Sequence, residues 1–224
     1  MDVALIRDAF SQKTLKRKLT KMPSKKSKPD SLLTIFYKNP ELGKVKPRLA
    51  AVIGEAKAFS IHLLLCEHTI DITEKLSLPK AIYYSDFIDR NDNWSNNKFQ
   101  KYTQTGFDIG EKMANAFRLG FDNGYRSICV IGTDCLDLTT SIINEAFRRL
   151  LTHDVVIGPA NDGCYYLLGM NYLHGDLFKN KKWSTAKVLS DTVHTIKLLG
   201  LSFWELEPLN HIDEEKDLPS YFKI

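Results

Sequence analysis

At 224 residues the chain is long enough for one α/β domain with a substantial core, and two full domains would be cramped. Its 43% hydrophobic and 26% charged shares are those of an ordinary soluble globular protein, and no apolar run approaches the roughly 20 residues a membrane-spanning helix needs. The N-terminus has no apolar stretch after its charges, which argues against a secretory signal and predicts a cytoplasmic protein.

The net charge of +4 is concentrated early. Lys13, Lys16, Arg17, Lys18, Lys21, Lys25, Lys26 and Lys28 follow one another with no acidic residue among them. Residues 1–30 therefore read as a basic, solvated arm and linker, ahead of one domain over residues 31–224. Such an arm can touch nucleic acid, but the remainder is slightly acidic, so nucleic acid is not expected as a partner of the folded domain. Cys66, Cys129, Cys135 and Cys164 form no CxxC pair and read as free thiols rather than a zinc site.

In chain order, residues 3–19 carry a weak helical pattern through Ala4, Leu5, Ala9, Leu15 and Leu19. LLTIFYK, from Leu32, is a buried strand. A long helix is predicted over residues 54–76, with Ala58, Ile61, Leu65, Thr69 and Ile72 on one face. A strand at 80–84 leads into RNDNWSNN, which reads as an exposed polar insertion. Helices follow at 108–119 and 141–151, with a buried strand at 128–131 between them. Strands at 154–157 and 165–169, a helix at 186–199 stopped by Gly200, and a strand at 202–206 close the chain. This alternation predicts a three-layer α/β fold: a mostly parallel sheet with helices on both faces.

The segment ICVIGTDCLDL (residues 128–138) releases Asp134 at the carboxyl end of a buried strand, where open α/β sheets place their ligands. With Asp137 three residues on, it is the first candidate for a divalent-cation site, and an Asp-initiated turn is the simpler alternative. After the first strand, NPELGKVKPRLA offers Gly43, Lys44, Lys46 and Arg48, a loop able to direct backbone N–H groups and cations at a phosphate. Its spacing is not that of a Walker loop. QTGFDIGEKM (104–113), NDGCYYLLGM (161–170) and LNHIDEEKDL (209–218) fall at strand ends or loops, and each alone is explained by capping, a turn or a charged surface. Taken together, the basic loop, Asp134 and Asp213 fit an arrangement in which Mg²⁺ bridges carboxylates and a diphosphate. Cys135 and Cys164 border that site, but no histidine stands beside either in sequence to form a thiolate pair.

FYKNPELGKVKPRLA, QTGFDIGEKM, IGTDCLDLT, HDVVIGPANDGCYYLLG, LFKNKKWST and HIDEEKDL occur in an order that resembles the glycosyltransferase-like proteins of the GT-A superfamily known as rSAM/selenodomain-associated transferase 1. The resemblance covers residues 32–218 and leaves the basic arm outside it. It implies a nucleotide-diphospho-sugar transferase-like, Rossmann-like fold that uses Mg²⁺ or Mn²⁺, a nucleotide or nucleotide-sugar and a small-molecule acceptor. Gly43, Lys44, Lys46 and Arg48 match the loop that would hold the nucleotide phosphates, and Gln104, Gly106 and Asp108 match the segment beside the base and ribose. Asp134 matches the metal carboxylate, and Asp213 a late acidic position that completes the metal site. Asp162, Gly163 and Tyr165 match an acceptor-side loop, with Asp162 the acceptor base or a turn former. Trp183, Ser184 and Thr185 match a segment covering the acceptor.

Three departures stand out. Pro47 replaces a threonine, Cys164 a second glycine, and Leu136 a proline or small residue. Glycosyl transfer from a nucleotide-diphospho-sugar is the first expectation. Nucleotidyl transfer onto a small phosphorylated molecule, which needs the same cation cluster, is the second. Pro47 and Cys164 speak for a third, a non-catalytic nucleotide-binding relative.

Overall fold

The computed structural model describes residues 30–222, so the helical pattern over residues 3–19 and the basic arm lie outside the described residues. The elements run β1 (Ser31–Tyr37), α1 (Pro47–Ile53), α2 (Glu55–Glu74), β2 (Lys80–Tyr84), β3 (Phe99–Thr103), α3 (Ile109–Asp122) and β4 (Ser127–Ile131). The second half adds α4 (Thr140–Arg149), β5 (Val155–Pro159), β6 (Tyr165–Met170), α5 (Val188–Leu198) and β7 (Phe203–Glu205). Short 3₁₀ turns lie at Gly175–Phe178, Glu215–Asp217 and Ser220–Phe222.

One seven-stranded sheet has the order β3-β2-β1-β4-β6-β5-β7. β1 pairs in parallel with β2 and β4, β2 with β3, and β5 with β7. β6 alone is reversed, antiparallel to both β4 and β5. The central strands are apolar on both faces because helices cover both. On one face Leu33, Ile35, Ile82 and Ile131 pack with Cys66 and Ile72 of α2 and Ile143 and Ala146 of α4. On the other, Leu32, Ala81, Ile128 and Val130 pack with Met113 and Phe117 of α3 and Ile196 of α5. The predicted three-layer α/β architecture is the one observed.

The short helix α1 and the strand β3 were not foreseen. β3, FQKYT, is a sheet edge with only Phe99 fully buried, so its apolar alternation is too weak to read as a strand. The RNDNWSNN segment is the polar, mostly exposed loop expected, but it is anchored, since Trp94 is 1% exposed and sits in the core beside Tyr37 and Phe99. The β2–β3 crossover has no helix, and this loop takes a helix's place on that face. Asp92 holds it there, accepting from the Tyr84 hydroxyl at 2.5 Å and pairing with Lys101 at 2.7 Å, both carboxylate and ammonium being buried. Composition shows the exposed loop but not this anchor, because a single tryptophan and one aspartate carry it.

The crossover from β1 runs over one face through α2, and the return from β3 to β4 runs over the other through α3. The paths diverge between β1 and β4. An open α/β sheet leaves a crevice at such a point, outside the carboxyl ends of the strands.

Candidate active site

A cleft of about 470 Å³ occupies that crevice. Tyr37 and Lys38 at the end of β1, Ser85 after β2, Gln104 after β3 and Gly132 and Asp134 after β4 form its floor. Because β6 is reversed, its first residues, Tyr165 and Tyr166, arrive at the same edge. Lys112 and Met113 of α3, Trp183, Ser184 and His211 complete the walls.

Asp134 is held by Lys46. The Lys46 ammonium donates to Asp134 Oδ1, with the lysine side chain 4% exposed and the carboxylate 48% exposed toward the cleft. Burial pushes the Asp134 carboxyl up, but the Lys46 charge and hydrogen bond outweigh it, assisted by His211 and His62, and the net shift is below the usual carboxylate value. Pro47 follows Lys46 directly. It is the first residue of α1, where its missing N–H has no helical partner to lose. The residue before a proline is kept out of the right-handed helical region; Lys46 stands in the left-handed one, at φ 48°. Pro47 thus costs the loop nothing in helix hydrogen bonding.

The remaining loop cations are also engaged. Lys44 pairs with Glu41 at 2.7 Å within an exposed turn that Gly43 closes at φ 79°. Arg48 pairs with Asp213 at 3.1 Å and stands 3.8 Å from Glu214. The Ile212 N–H donates to the Asp134 carbonyl at 2.8 Å, which docks the Asp213 segment on the end of β4. Leu136 packs with Leu49, Ile61 and Ile212 beneath this junction, which gives its size a structural role. Asp137 is exposed and does not line the cleft.

Gln104 lines the cleft and ties two strands, its Nε2 donating to the Tyr83 carbonyl at 3.0 Å and the Tyr37 carbonyl at 3.4 Å. Asp108 does not line the cleft; it caps α3, accepting from the Glu111 N–H at 2.8 Å, while the Glu111 carboxylate accepts from the Phe107 N–H. Gly106 (φ 140°) lets this turn close, since a Cβ there would stand 2.8 Å from the Lys112 nitrogen.

In the turn before β6, Asp162 Oδ2 faces His211 Nδ1 at 2.9 Å, and its Oδ1 accepts from the Cys164 N–H at 2.8 Å. Burial raises the Asp162 carboxyl, and these hydrogen bonds more than reverse that. Asp162 is therefore spoken for, and the ring it holds is the group that lines the cleft. Gly163 (φ 84°) passes against the Ala186 carbonyl, where a Cβ would lie at 2.2 Å. Trp183 and Ser184 line the cleft, while the Thr185 hydroxyl donates to the Lys182 carbonyl at 2.7 Å. Burial pushes the Cys164 thiol up to about 11 and Cys135 up to about 12, the opposite of an activated nucleophile.

Among the described residues, no three His, Cys, Asp or Glu side chains stand together as a metal cage. Mg²⁺ needs no such cage when it shares one or two carboxylates with substrate phosphates, and the half-exposed Asp134 carboxylate fits that mode.

A family model described as an uncharacterized protein conserved in bacteria (DUF2064) matches residues 69–185, just over half of the chain. The chain belongs to this family. The DUF2064 match takes in most of the cleft's floor, from β2 through the Trp183 segment. A comparison with curated proteins returns no match. Among solved structures, a protein from Desulfovibrio desulfuricans G20, provisionally described as a nucleotide-diphospho-sugar transferase, aligns with a TM-score of 0.78 and 28% identity, over 87% of this chain and 90% of that one. The inositol-1-phosphate CTP transferase from T. maritima aligns at 0.53 and 10% identity, over 88% and 95%. A CMP:2-keto-3-deoxy-manno-octonic acid synthetase complexed with CTP aligns at 0.51 and 8%, over 87% and 97%. At such identities these last two share the fold alone, and it is the α/β fold expected from the sequence.

Proposed function

We propose that this DUF2064 protein is a transferase that takes a nucleotide-diphospho-sugar in the switch-point cleft and passes the sugar to a small acceptor. The observation that carries this is the placement of Asp134, paired with Lys46, at the carboxyl end of β4 on the cleft floor. The likeness to the D. desulfuricans protein over nine-tenths of its length supports the donor class. The aromatic walls give a base or sugar ring an apolar face, and Asp134 with Lys46 gives the floor a fixed electrostatic landmark.

His211, oriented by Asp162, is placed to take the proton of an acceptor hydroxyl. As that O–H bond breaks, the acceptor oxygen bonds to the anomeric carbon and the carbon–oxygen bond to the diphosphate breaks, so the nucleoside diphosphate leaves with the electron pair. Asp134, with Asp213 from the segment docked on it, would hold Mg²⁺ or Mn²⁺, whose chemistry there is to neutralise charge on the leaving diphosphate.

The second reading is nucleotidyl transfer, favoured by the fold shared with the CTP transferases. An acceptor phosphate is already ionised at neutral pH and needs no base, so the Asp162–His211 pair favours a hydroxyl acceptor and glycosyl transfer.

Thermal-shift titration with nucleoside triphosphates and nucleotide sugars, with and without Mg²⁺ or Mn²⁺, tests the proposal. A stabilisation of a few kcal/mol near a hundredfold excess over Kd is expected with one nucleotide-sugar class. Turnover should then release nucleoside diphosphate. Pyrophosphate release from a triphosphate would move the assignment to nucleotidyl transfer, and no shift with any donor would leave a non-catalytic relative.

A further inference from the structure

In the structure the cations of the basic loop all have carboxylate partners. Lys44, Lys46 and Arg48 are each committed to a carboxylate, Glu41, Asp134 and Asp213 respectively. Two other lysines line the cleft, and among the described residues neither has an acidic partner: Lys38, directly after β1, and Lys112, in the first turn of α3. They belong to elements on either side of the divergence between β1 and β4, so the crevice runs between them. Phe36, Tyr165 and Trp183 line the same cleft, an apolar lining that strengthens a charge's attraction for a counter-ion. A dianion in the cleft would meet both charges at once.

We infer that Lys38 and Lys112 are the diphosphate-binding pair of this cleft and that its ligand is a diphosphate ester carrying about two negative charges. Lysine suits the task as a point charge on a flexible stem, able to follow a diphosphate whose charge shifts as a bond to it breaks. Lys46 neutralises Asp134 and adds no net charge, so the two free lysines set the sign of the cleft. The nucleoside part of the ligand rests on the transferase reading above; the diphosphate part rests on the lysines alone.

Calorimetric titration with pyrophosphate, UDP and uridine separates these parts. Lys38→Met and Lys112→Met keep the apolar stems, and each should weaken pyrophosphate and UDP by at least about tenfold. Lys179→Met removes an exposed charge that pairs with Asp176 away from the cleft and controls for net charge. Unchanged melting curves would show that the variants fold. Wild-type affinity in both lysine variants, with the loss appearing instead in Lys44→Met or Arg48→Met, overturns the inference. A wild-type protein that binds neither pyrophosphate nor UDP overturns it as well. Lysine-dependent binding of pyrophosphate with no added affinity for UDP would uphold the pair while sinking the nucleotide-donor proposal.

Discussion

Lys46 and Asp134 show what a single buried cation does to a strand-end carboxylate. Replacing Lys46 by Met removes the charge that offsets Asp134's burial. A fully buried pair broken in this way costs about 3–5 kcal/mol; the carboxylate here is 48% exposed, so about 1–2 kcal/mol is expected, read from urea denaturation at neutral pH. The pH dependence has a definite sign. Asp134's folded-state pKa lies below its ordinary 3.8, so the pair's contribution is present above that value and is lost as pH falls through the lower folded value. Acid titration of stability in wild type should show that loss, and K46M should lack it. Asp134 is legible in the sequence because a carboxylate ending an apolar run is a local signal. Lys38, Lys112 and the role of His211 are not. Asp162 and His211 meet across 49 residues, and no local pattern announces that pairing.

At the level of elements, the turn into α3 and the Trp183 segment are fitted to each other. A Cβ on Gly110 would stand 2.2 Å from the Trp183 ring, so Gly110→Ala must push the ring out of its place in the cleft wall. About 1–3 kcal/mol of destabilisation is expected, with a changed tryptophan emission spectrum as the direct reading. Asp108→Ala makes a useful contrast. It removes the α3 cap and should cost about 1 kcal/mol in a thermal melt, while leaving donor affinity close to wild type. Helix ends such as this one were readable, since Asp108 and Gly200 carry their conformations in their own chemistry. The edge strand β3 and the short α1 were not, because one is polar and the other follows a loop whose cations dominate the pattern.

For the whole molecule, the order of elements was readable because helices and buried strands alternate with distinct periods, while the locked β2–β3 crossover was not. Trp94→Ala tests how far that crossover belongs to the core. It should cost about 3–5 kcal/mol in chemical denaturation, whereas a surface loop would show almost nothing. The reversed strand β6 has the widest reach. Strands β1 to β4 deliver loops that follow a strand, whereas β6 delivers the turn that precedes one, residues 160–164. The cleft is therefore assembled from two stretches of chain, joined where β6 pairs with β4. Changes in that turn and in residues 182–187 can remodel one wall while the β1–β4 floor stays fixed. A scaffold of this kind can vary one wall of its cleft without disturbing the other.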